Sequence, residues 1–351
     1  MQTGKKTIYL HIGMPKSGTT SIQSFLYENK EILSREQNLF YPLIKSEGQN
    51  SIDKKINYRT IMVDAYYRHR RNIKYYNKFF EEKFLKQIEE SKCEKIVFSE
   101  ECIFMYCPDT QIIDVFIKHC FNVKVIVYLR KPSEYIASLW QENLKPYMDD
   151  FHYSIEEFAK NTYINYPLIL KFIDKLGKDN VIVRPFEKEQ WKNNNLIEDF
   201  LSATDINNFD TGSFPVVNSS YNRNLAEFML LLKGTGIPRC ELVKLLKEYM
   251  KHVVPNEKLP VIDSLSDYDF TEFIAENSPV TPRIIDTLPD KFIEDMHNRY
   301  DEILNKIAQV YGKENMFVNK YPSCYGKERA EYDGLTLSYR QLNLLHKAML
   351  L

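Results

Sequence analysis

The sequence lacks the patterns that mark a disulfide-rich, zinc-binding or nucleic-acid-binding protein. Its 6 cysteines are scattered over 351 residues, and none forms a C-x-x-C pair, a spacing typical of zinc and redox sites. In a chain of this length, scattered cysteines indicate free thiols in a reducing compartment rather than a disulfide framework. The formal net charge is −1, whereas a general nucleic-acid-binding protein carries an excess of lysine and arginine.

Long hydrophobic runs are also missing. No apolar stretch approaches the roughly 18–20 residues that cross a bilayer. The segment Met1–Lys6 leads straight into an apolar run, without the basic and apolar regions of a secretory signal. We therefore expect a cytoplasmic protein with no membrane span and no nucleic-acid partner. The richness in Lys, Asn, Ile and Tyr is compatible with a bacterial source.

No internal repeat, low-complexity tract or Gly/Ser linker divides the chain. We predict one domain over residues 1–351, with an α/β ligand-binding core in 1–200 and a mainly helical extension in 201–351. Hydrophobic residues make up 44% of the sequence and aromatic residues 13%, which is ample material for a core. The helices predicted from about residue 195 onwards are Asn195–Ala203, Asn222–Lys233, Cys240–His252 and Asp290–Tyr311.

Apolar strands and amphipathic helices alternate through the first part of the chain. The predicted strands are Thr7–Ile12, Lys95–Ser99, Val123–Leu129 and Val181–Val183. This alternation is typical of βαβ units, so we predict an α/β fold with a parallel β-sheet covered by helices on both faces. Ligands of such sheets bind at the carboxyl ends of strands, and Lys16, Glu100 and Arg130 all fall at or just beyond such ends.

The first strand leads into a glycine-bearing turn and then a helix. The turn contains Gly13, Pro15 and Gly18, and the helix begins near Thr19. This is the layout in which backbone N–H groups and a helix N-terminus bind phosphate. In the triphosphate loop G-x-x-x-x-G-K-[ST] a lysine follows the second glycine, but here Thr19 holds that position. The loop's only lysine, Lys16, stands in mid-turn, which predicts a phosphate loop for a nucleotide other than a triphosphate.

The stretch from His11 to Gln23 resembles the 5′-phosphosulfate loop of sulfotransferases that use 3′-phosphoadenosine 5′-phosphosulfate (PAPS), and is most similar to bacterial and carbohydrate-type members. The resemblance implies the P-loop sulfotransferase fold, with residues 1–200 as the PAPS-binding core. It also implies that PAPS is bound by the loop residues Lys16, Ser17, Gly18, Thr19, Thr20 and Ser21. The alternative interpretation is a plain glycine turn with a solvated lysine.

A second motif follows the third predicted strand. Arg130 ends the strand, Pro132 occupies a first-turn helix position, and Ser138 falls in the second turn, facing away from the apolar stripe. Arginine offers a planar fork for phosphate oxygens, and a hydroxyl adds one more donor. In sulfotransferases an arginine closing a strand and a serine eight residues later bind the 3′-phosphate, and Arg130 and Ser138 resemble that pair.

The resemblance implies in-line transfer of a sulfonyl group from PAPS to an acceptor hydroxyl, leaving adenosine 3′,5′-bisphosphate. Lys16 and the loop amides would stabilise the departing phosphate oxygen, so no metal is expected. Glu100 is the predicted general base, because carbohydrate-type relatives commonly carry a glutamate there. Glu101 and His11 remain alternatives, although the position of His11 inside the first strand favours a packed core histidine.

The acceptor is expected to be a carbohydrate or a glycolipid. The basic, tyrosine-rich block at residues 66–76 is either an acceptor surface or a solvated helix face. The stretch with Lys327 and Arg329 is either a further 3′-phosphate loop or a solvated turn. Two other functions compete: a P-loop small-molecule kinase or nucleotide hydrolase, and a non-catalytic binding protein on the same fold. The oligomeric state stays open.

Overall fold

The computed structural model describes residues 5–42, 72–146, 148, 151–212, 221–252, 254–277, 283–327, 337 and 339–350. The chain divides into two compact units. The first takes its described residues from 1–130, 164–217 and 300–320, and the second from 131–163, 218–299 and 321–351. A single domain over the whole chain stays a prediction.

The first unit is built on a five-stranded, all-parallel sheet. Its strands are β1 (Thr7–His11), β2 (Leu39–Phe40), β3 (Lys95–Ser99), β4 (Asn122–Leu129) and β5 (Val181–Pro185). They lie in the order β2-β3-β1-β4-β5, and every neighbouring pair is parallel. The predicted α/β class with a parallel sheet is confirmed. The sequence patterns do not predict β2, because its two residues are too few to show the alternation of apolar and polar residues that marks a strand.

Helices make up most of the remaining described chain. In chain order they are α1 (Thr19–Glu28), α2 (Lys30–Gln37), α3 (Ile73–Phe80), α4 (Lys86–Glu90), α5 (Cys102–Tyr106), α6 (Asp114–Lys118), α7 (Pro132–Asn143), α8 (Ile155–Asn161), α9 (Pro167–Leu176), α10 (Leu196–Ala203), α11 (Arg223–Gly234), α12 (Arg239–Lys251), α13 (Leu259–Ile262), α14 (Asp267–Glu276), α15 (Ile284–Thr287), α16 (Asp290–Val310) and α17 (Tyr339–Leu350). The four helices predicted after residue 195 correspond to α10, α11, α12 and α16, and are confirmed. Among the described residues, no helix has both the length and the apolar character needed to cross a bilayer.

Both faces of the sheet are covered. Tyr9 and Val97 lie on the face that packs against α1 and α10. Phe98 points to the opposite face, because successive strand residues alternate. There its ring centroid lies 6.3 Å from that of Phe80 in α3 and 5.8 Å from that of Phe116 in α6. Burial on two faces explains why the long strands are near-continuous apolar runs.

A π-helical turn, Glu81–Leu85, joins α3 to α4. The buried side chains of this continuous helix are Tyr76, Phe80, Phe84 and Ile88, which recur every four positions. At 3.6 residues per turn, a spacing of four moves each side chain about 40° around an α-helix. The wider π turn offsets this drift, so that all four side chains reach the core.

Among the described glycines of the first unit, Gly18, between β1 and α1, has the least room for a side chain. Its φ is +77°, and a Cβ there would lie 2.3 Å from Leu196 Cδ2 and 3.1 Å from Phe186 Cε2. The turn therefore packs against the first residue of α10 and the residue that follows β5. Any side chain at this position meets both a conformational penalty and a steric one.

We predict that Gly18→Ala lowers the free energy of unfolding by about 2–4 kcal/mol, the sum of a left-handed backbone penalty and overpacking. Gly312→Ala is the matched control, because Gly312 has a φ of +66° and nothing within 4 Å of an added Cβ. It should cost about 1–2 kcal/mol, the conformational part alone. Urea denaturation measures both. Equal losses in the two variants would show that the packing around Gly18 contributes nothing.

Candidate functional site

The carboxyl ends of the parallel strands meet at one edge of the sheet. In the register of β1 and β3, His11 is opposite Ser99, so the chain leaves both strands at the same level. The loop after β1, Glu100 after β3 and Arg130 after β4 therefore all emerge at this edge. Ser138 lies in α7, in the second unit, and its pairing with Arg130 stays a prediction.

The loop after β1 is a tight turn with an unusual backbone. The φ angles are +33° at Gly13, +66° at Lys16 and +77° at Gly18. The Ser17 N–H donates to the Met14 carbonyl at 3.2 Å, and the Ser17 hydroxyl donates to the same carbonyl. Ser17, predicted to bind the ligand, thus directs both donors into the turn. A left-handed lysine is disfavoured sterically, and such residues concentrate at functional sites.

The N-terminus of α1 faces this loop without a side-chain cap. The first bond within the helix runs from the Ile22 N–H to the Gly18 carbonyl at 3.1 Å. The N–H groups of the first helical turn precede that bond and point out of the helix at its N-terminus. No residue of the first turn is acidic. The positive end of the helix dipole is therefore suited to an anion.

Two buried hydroxyls lie in the first turn of α1. Thr19 is 2% exposed and Ser21 is 1% exposed, and neither Oγ atom has a hydrogen-bond partner within the described chain. Thr19 Oγ1 lies 2.8 Å from the position that a Cβ on Gly13 would occupy, so this hydroxyl faces back into the loop. Buried hydroxyls are normally hydrogen-bonded, and a phosphate or sulfate group in the loop would supply the acceptors.

Arg130 reaches the loop from the end of β4. Its Nη1 donates to the Lys16 carbonyl at 2.9 Å, and its guanidinium carbon lies 5.7 Å from the centroid of the Phe186 ring. The Arg130 carbonyl accepts a hydrogen bond from the Tyr166 hydroxyl at 2.6 Å. The two predicted phosphate ligands Lys16 and Arg130 are therefore in direct contact.

Glu100 is turned towards the helix that follows it. It is 1% exposed, its N–H donates to the His11 carbonyl at 2.8 Å, and its Oε1 accepts from the Cys102 N–H at 3.2 Å, at the start of α5. Burial raises the pKa of Tyr41 and of Tyr76 well above 10, and the nearby Glu100 carboxylate adds to both increases. The Glu100 carboxylate thus lies among tyrosines and a helix end.

Glu101 has its Cβ atom beside the loop. Its Cβ lies 3.4 Å from the position that a Cβ on Gly13 would occupy, and it is 9% exposed. The assignment of the base to Glu100 stays a prediction.

His11 is a packed core histidine, as its position inside the strand indicates. Its Nδ1 lies 2.8 Å from Ser99 Oγ, and its ring makes an edge contact with Phe200 at a centroid distance of 5.4 Å. Complete burial lowers the pKa of His11 from 6.5 to about 3. An imidazole of such low basicity is a poor general base at neutral pH.

Two residues at the end of β5 belong to this edge, although the sequence patterns described above do not single them out. Phe186 contacts both Gly18 and Arg130. Arg184 places Nη1 3.9 Å from Asp199 Oδ1. The sequence feature that could identify them is the one used for Arg130: a residue able to bind a ligand, here a cationic or an aromatic one, at the end of an apolar strand.

The described residues contain no group of three or more His, Cys, Asp or Glu side chains that could hold a metal ion. Lys327 is exposed, and its N–H closes a turn on the Cys324 carbonyl at 3.3 Å. Arg329 and the block at 66–71 lie outside the described residues. Their proposed roles in binding phosphate or acceptor stay predictions.

We predict that His11 makes the protein less stable in acid. Its pKa is about 3 in the folded protein, against 6.5 for a histidine exposed to water. Between these values the unfolded chain binds more protons, so stability falls as the pH is lowered from 6.5 towards 3. The contribution is at most about 1.4 kcal/mol per pH unit. Urea denaturation from pH 7 to 4 should show a shallower pH dependence for His11→Asn. An identical slope in the variant would contradict the prediction.

No protein-family model matches this chain, and no curated protein matches it. Among solved structures it is similar to the crystal structure of a sulfotransferase from Alicyclobacillus acidocaldarius, with 15% sequence identity, coverage of 67% of this chain and 94% of that chain, and a TM-score of 0.36. A likeness of this size assigns neither a family nor an activity to the chain.

Proposed function

We propose that the protein is a sulfotransferase that takes a sulfonyl group from PAPS. The loop between β1 and α1 carries this proposal. Its backbone is left-handed at Lys16 and Gly18, the helix end behind it has no side-chain cap, and its one lysine stands in mid-turn. A site of this kind suits the two adjacent anionic groups of a phosphosulfate, with Lys16 beside the bridging oxygen.

In the proposed reaction the bond between sulfur and the bridging phosphate oxygen breaks, and a new bond forms between sulfur and the acceptor oxygen. Negative charge grows on the departing oxygen, where the Lys16 ammonium and the loop N–H groups stabilise it. The acceptor hydroxyl loses its proton to a carboxylate. Arg130 and Ser138 are the proposed ligands of the 3′-phosphate.

The proposed general base is one of two adjacent carboxylates. Glu101 packs beside Gly13 of the loop, whereas one oxygen of Glu100 accepts the Cys102 N–H at the start of α5. We therefore assign the proton transfer to Glu101 and helix capping to Glu100. The expectation from the carbohydrate-type resemblance, with Glu100 as base, is the competing assignment.

For the acceptor we propose a carbohydrate or a glycolipid hydroxyl, on the resemblance of the loop to carbohydrate-type sulfotransferases. The expectation of a cytoplasmic enzyme rests on the scattered cysteines and the lack of long apolar runs, and that of a bacterial source on the richness in Lys, Asn, Ile and Tyr. A P-loop kinase or nucleotide hydrolase is the second candidate. It is disfavoured because Thr19 occupies the position where a triphosphate loop carries lysine.

We predict that adenosine 3′,5′-bisphosphate stabilises the protein more than ATP does, with or without magnesium. At 100 times its dissociation constant a ligand adds about 2.7 kcal/mol to the free energy of unfolding, which a thermal-shift assay detects. Lys16→Met should weaken the effect by removing the loop cation. Lys178→Met is the matched control, because Lys178 is exposed and precedes the amino end of β5. A larger shift with Mg-ATP would support the kinase instead.

We predict that Glu101→Gln lowers turnover of PAPS with a hydroxyl acceptor by about 10²–10⁴-fold, the usual contribution of general base catalysis. Binding of the bisphosphate should not change, since the amide keeps the shape of the side chain. Glu100→Gln is the matched variant, and should lose stability more than turnover. Turnover is measured by release of the bisphosphate, and stability by urea denaturation. A larger loss of turnover in Glu100→Gln than in Glu101→Gln would identify Glu100 as the general base.

A further inference from the structure

Lys16 holds a backbone conformation that its side chain disfavours. Its φ is +66°, in the left-handed region where L-residues other than glycine are sterically penalised. The turn also contains Gly13 and Gly18, which adopt positive φ freely. Only at Lys16 does the loop need an outside contact to hold this shape, because a disfavoured conformation persists only when its surroundings determine it.

Arg130 makes that contact. Its Nη1 donates to the Lys16 carbonyl at 2.9 Å, and its backbone N–H lies 3.3 Å from Met14 Sδ on the other arm of the turn. Hydrogen bonds from a charged donor are about twice as strong as neutral ones. The orientation of the peptide between Lys16 and Ser17, whose N–H donates back to the Met14 carbonyl at 3.2 Å, is thus tied to the end of β4.

Arg130 is itself held in place. Its carbonyl accepts from the Tyr166 hydroxyl at 2.6 Å. Its guanidinium carbon lies 5.7 Å from the Phe186 ring centroid, and that ring also abuts Gly18. The Phe186 N–H donates to the Leu129 carbonyl at 2.6 Å, which anchors the ring to β4. The arginine therefore joins the loop to two strand ends, β4 and β5.

We propose that Arg130 is a positioning residue for the phosphate loop: its hydrogen bond to the Lys16 carbonyl holds the left-handed turn, so that the lysine side chain and the N–H groups at the start of α1 face a 5′-phosphate. This role rests on the proposed function and extends it, because the proposed function assigns Arg130 only to binding the 3′-phosphate. The guanidinium carries five N–H groups in a rigid fork, enough to hold a loop carbonyl and a phosphate together. Loss of Arg130 therefore weakens binding at both ends of the nucleotide.

The test compares two nucleotides that differ only in the 3′-phosphate, adenosine 5′-monophosphate and adenosine 3′,5′-bisphosphate, by isothermal titration calorimetry. Arg130→Met should weaken binding of the monophosphate about tenfold, through the loop alone, and binding of the bisphosphate further. Arg130→Lys keeps the charge but not the planar fork of the guanidinium. Its affinity for the monophosphate should therefore lie between the affinities of wild type and Arg130→Met.

Ser138→Ala is the matched control, because Ser138 is proposed to bind the 3′-phosphate and belongs to α7 rather than to the loop. It should weaken only the bisphosphate. A monophosphate affinity within about twofold of wild type in Arg130→Met and Arg130→Lys would overturn the inference and leave the proposed function intact. A wild-type protein that binds neither nucleotide would instead overturn the proposed function.

A second measurement tests the positioning role without any nucleotide. Hydrogen–deuterium exchange should be faster at the amides from Lys16 to Thr19 in Arg130→Met than in wild type or Ser138→Ala, because the turn has lost its outside contact. Circular dichroism confirms that each variant is folded. Unchanged exchange at these amides in a folded Arg130→Met would overturn the inference by itself, whatever the protein binds.

Discussion

The structure at the candidate site depends on one constraint, the sharp turn by which the chain passes from β1 into α1. The turn requires positive φ at Gly13, Lys16 and Gly18, and Gly18 packs so closely against Leu196 and Phe186 that no side chain fits. This contact fixes the start of α1 relative to α10 and the end of β5. The N–H groups at the helix end and the buried Thr19 hydroxyl are directed into the loop as a consequence.

Much of this arrangement could be predicted, because it depends on local chemistry and on a general property of parallel sheets. Two glycines around a mid-turn lysine, between an apolar strand and an amphipathic helix, indicate a phosphate loop without tertiary information. Parallel strands bring their carboxyl ends to one edge, so Lys16, Glu100 and Arg130 could be expected there together. The observed register of β1 with β3 and β4 brings these three residues to that edge.

The remaining features depend on packing that no local pattern reports. Where α5 begins decides that Glu100 accepts a backbone hydrogen bond, because the Cys102 N–H donates to its Oε1. The hydrogen bond from Arg130 to the Lys16 carbonyl joins residues 114 positions apart. The π-helical turn at Glu81–Leu85 likewise depends on tertiary packing, because it brings Tyr76, Phe80, Phe84 and Ile88 to the core together.

The positions of two cations underlie our proposal of a phosphosulfate rather than a triphosphate. In a triphosphate loop the lysine at the helix start extends along the outer phosphates, but here Thr19 turns a short hydroxyl back towards Gly13. The positive charge is moved into the turn itself, at Lys16, and Arg130 contacts the same peptide from β4. In the proposed reaction the Lys16 ammonium stabilises the charge on the departing oxygen, and Arg130 holds the peptide from which the lysine extends.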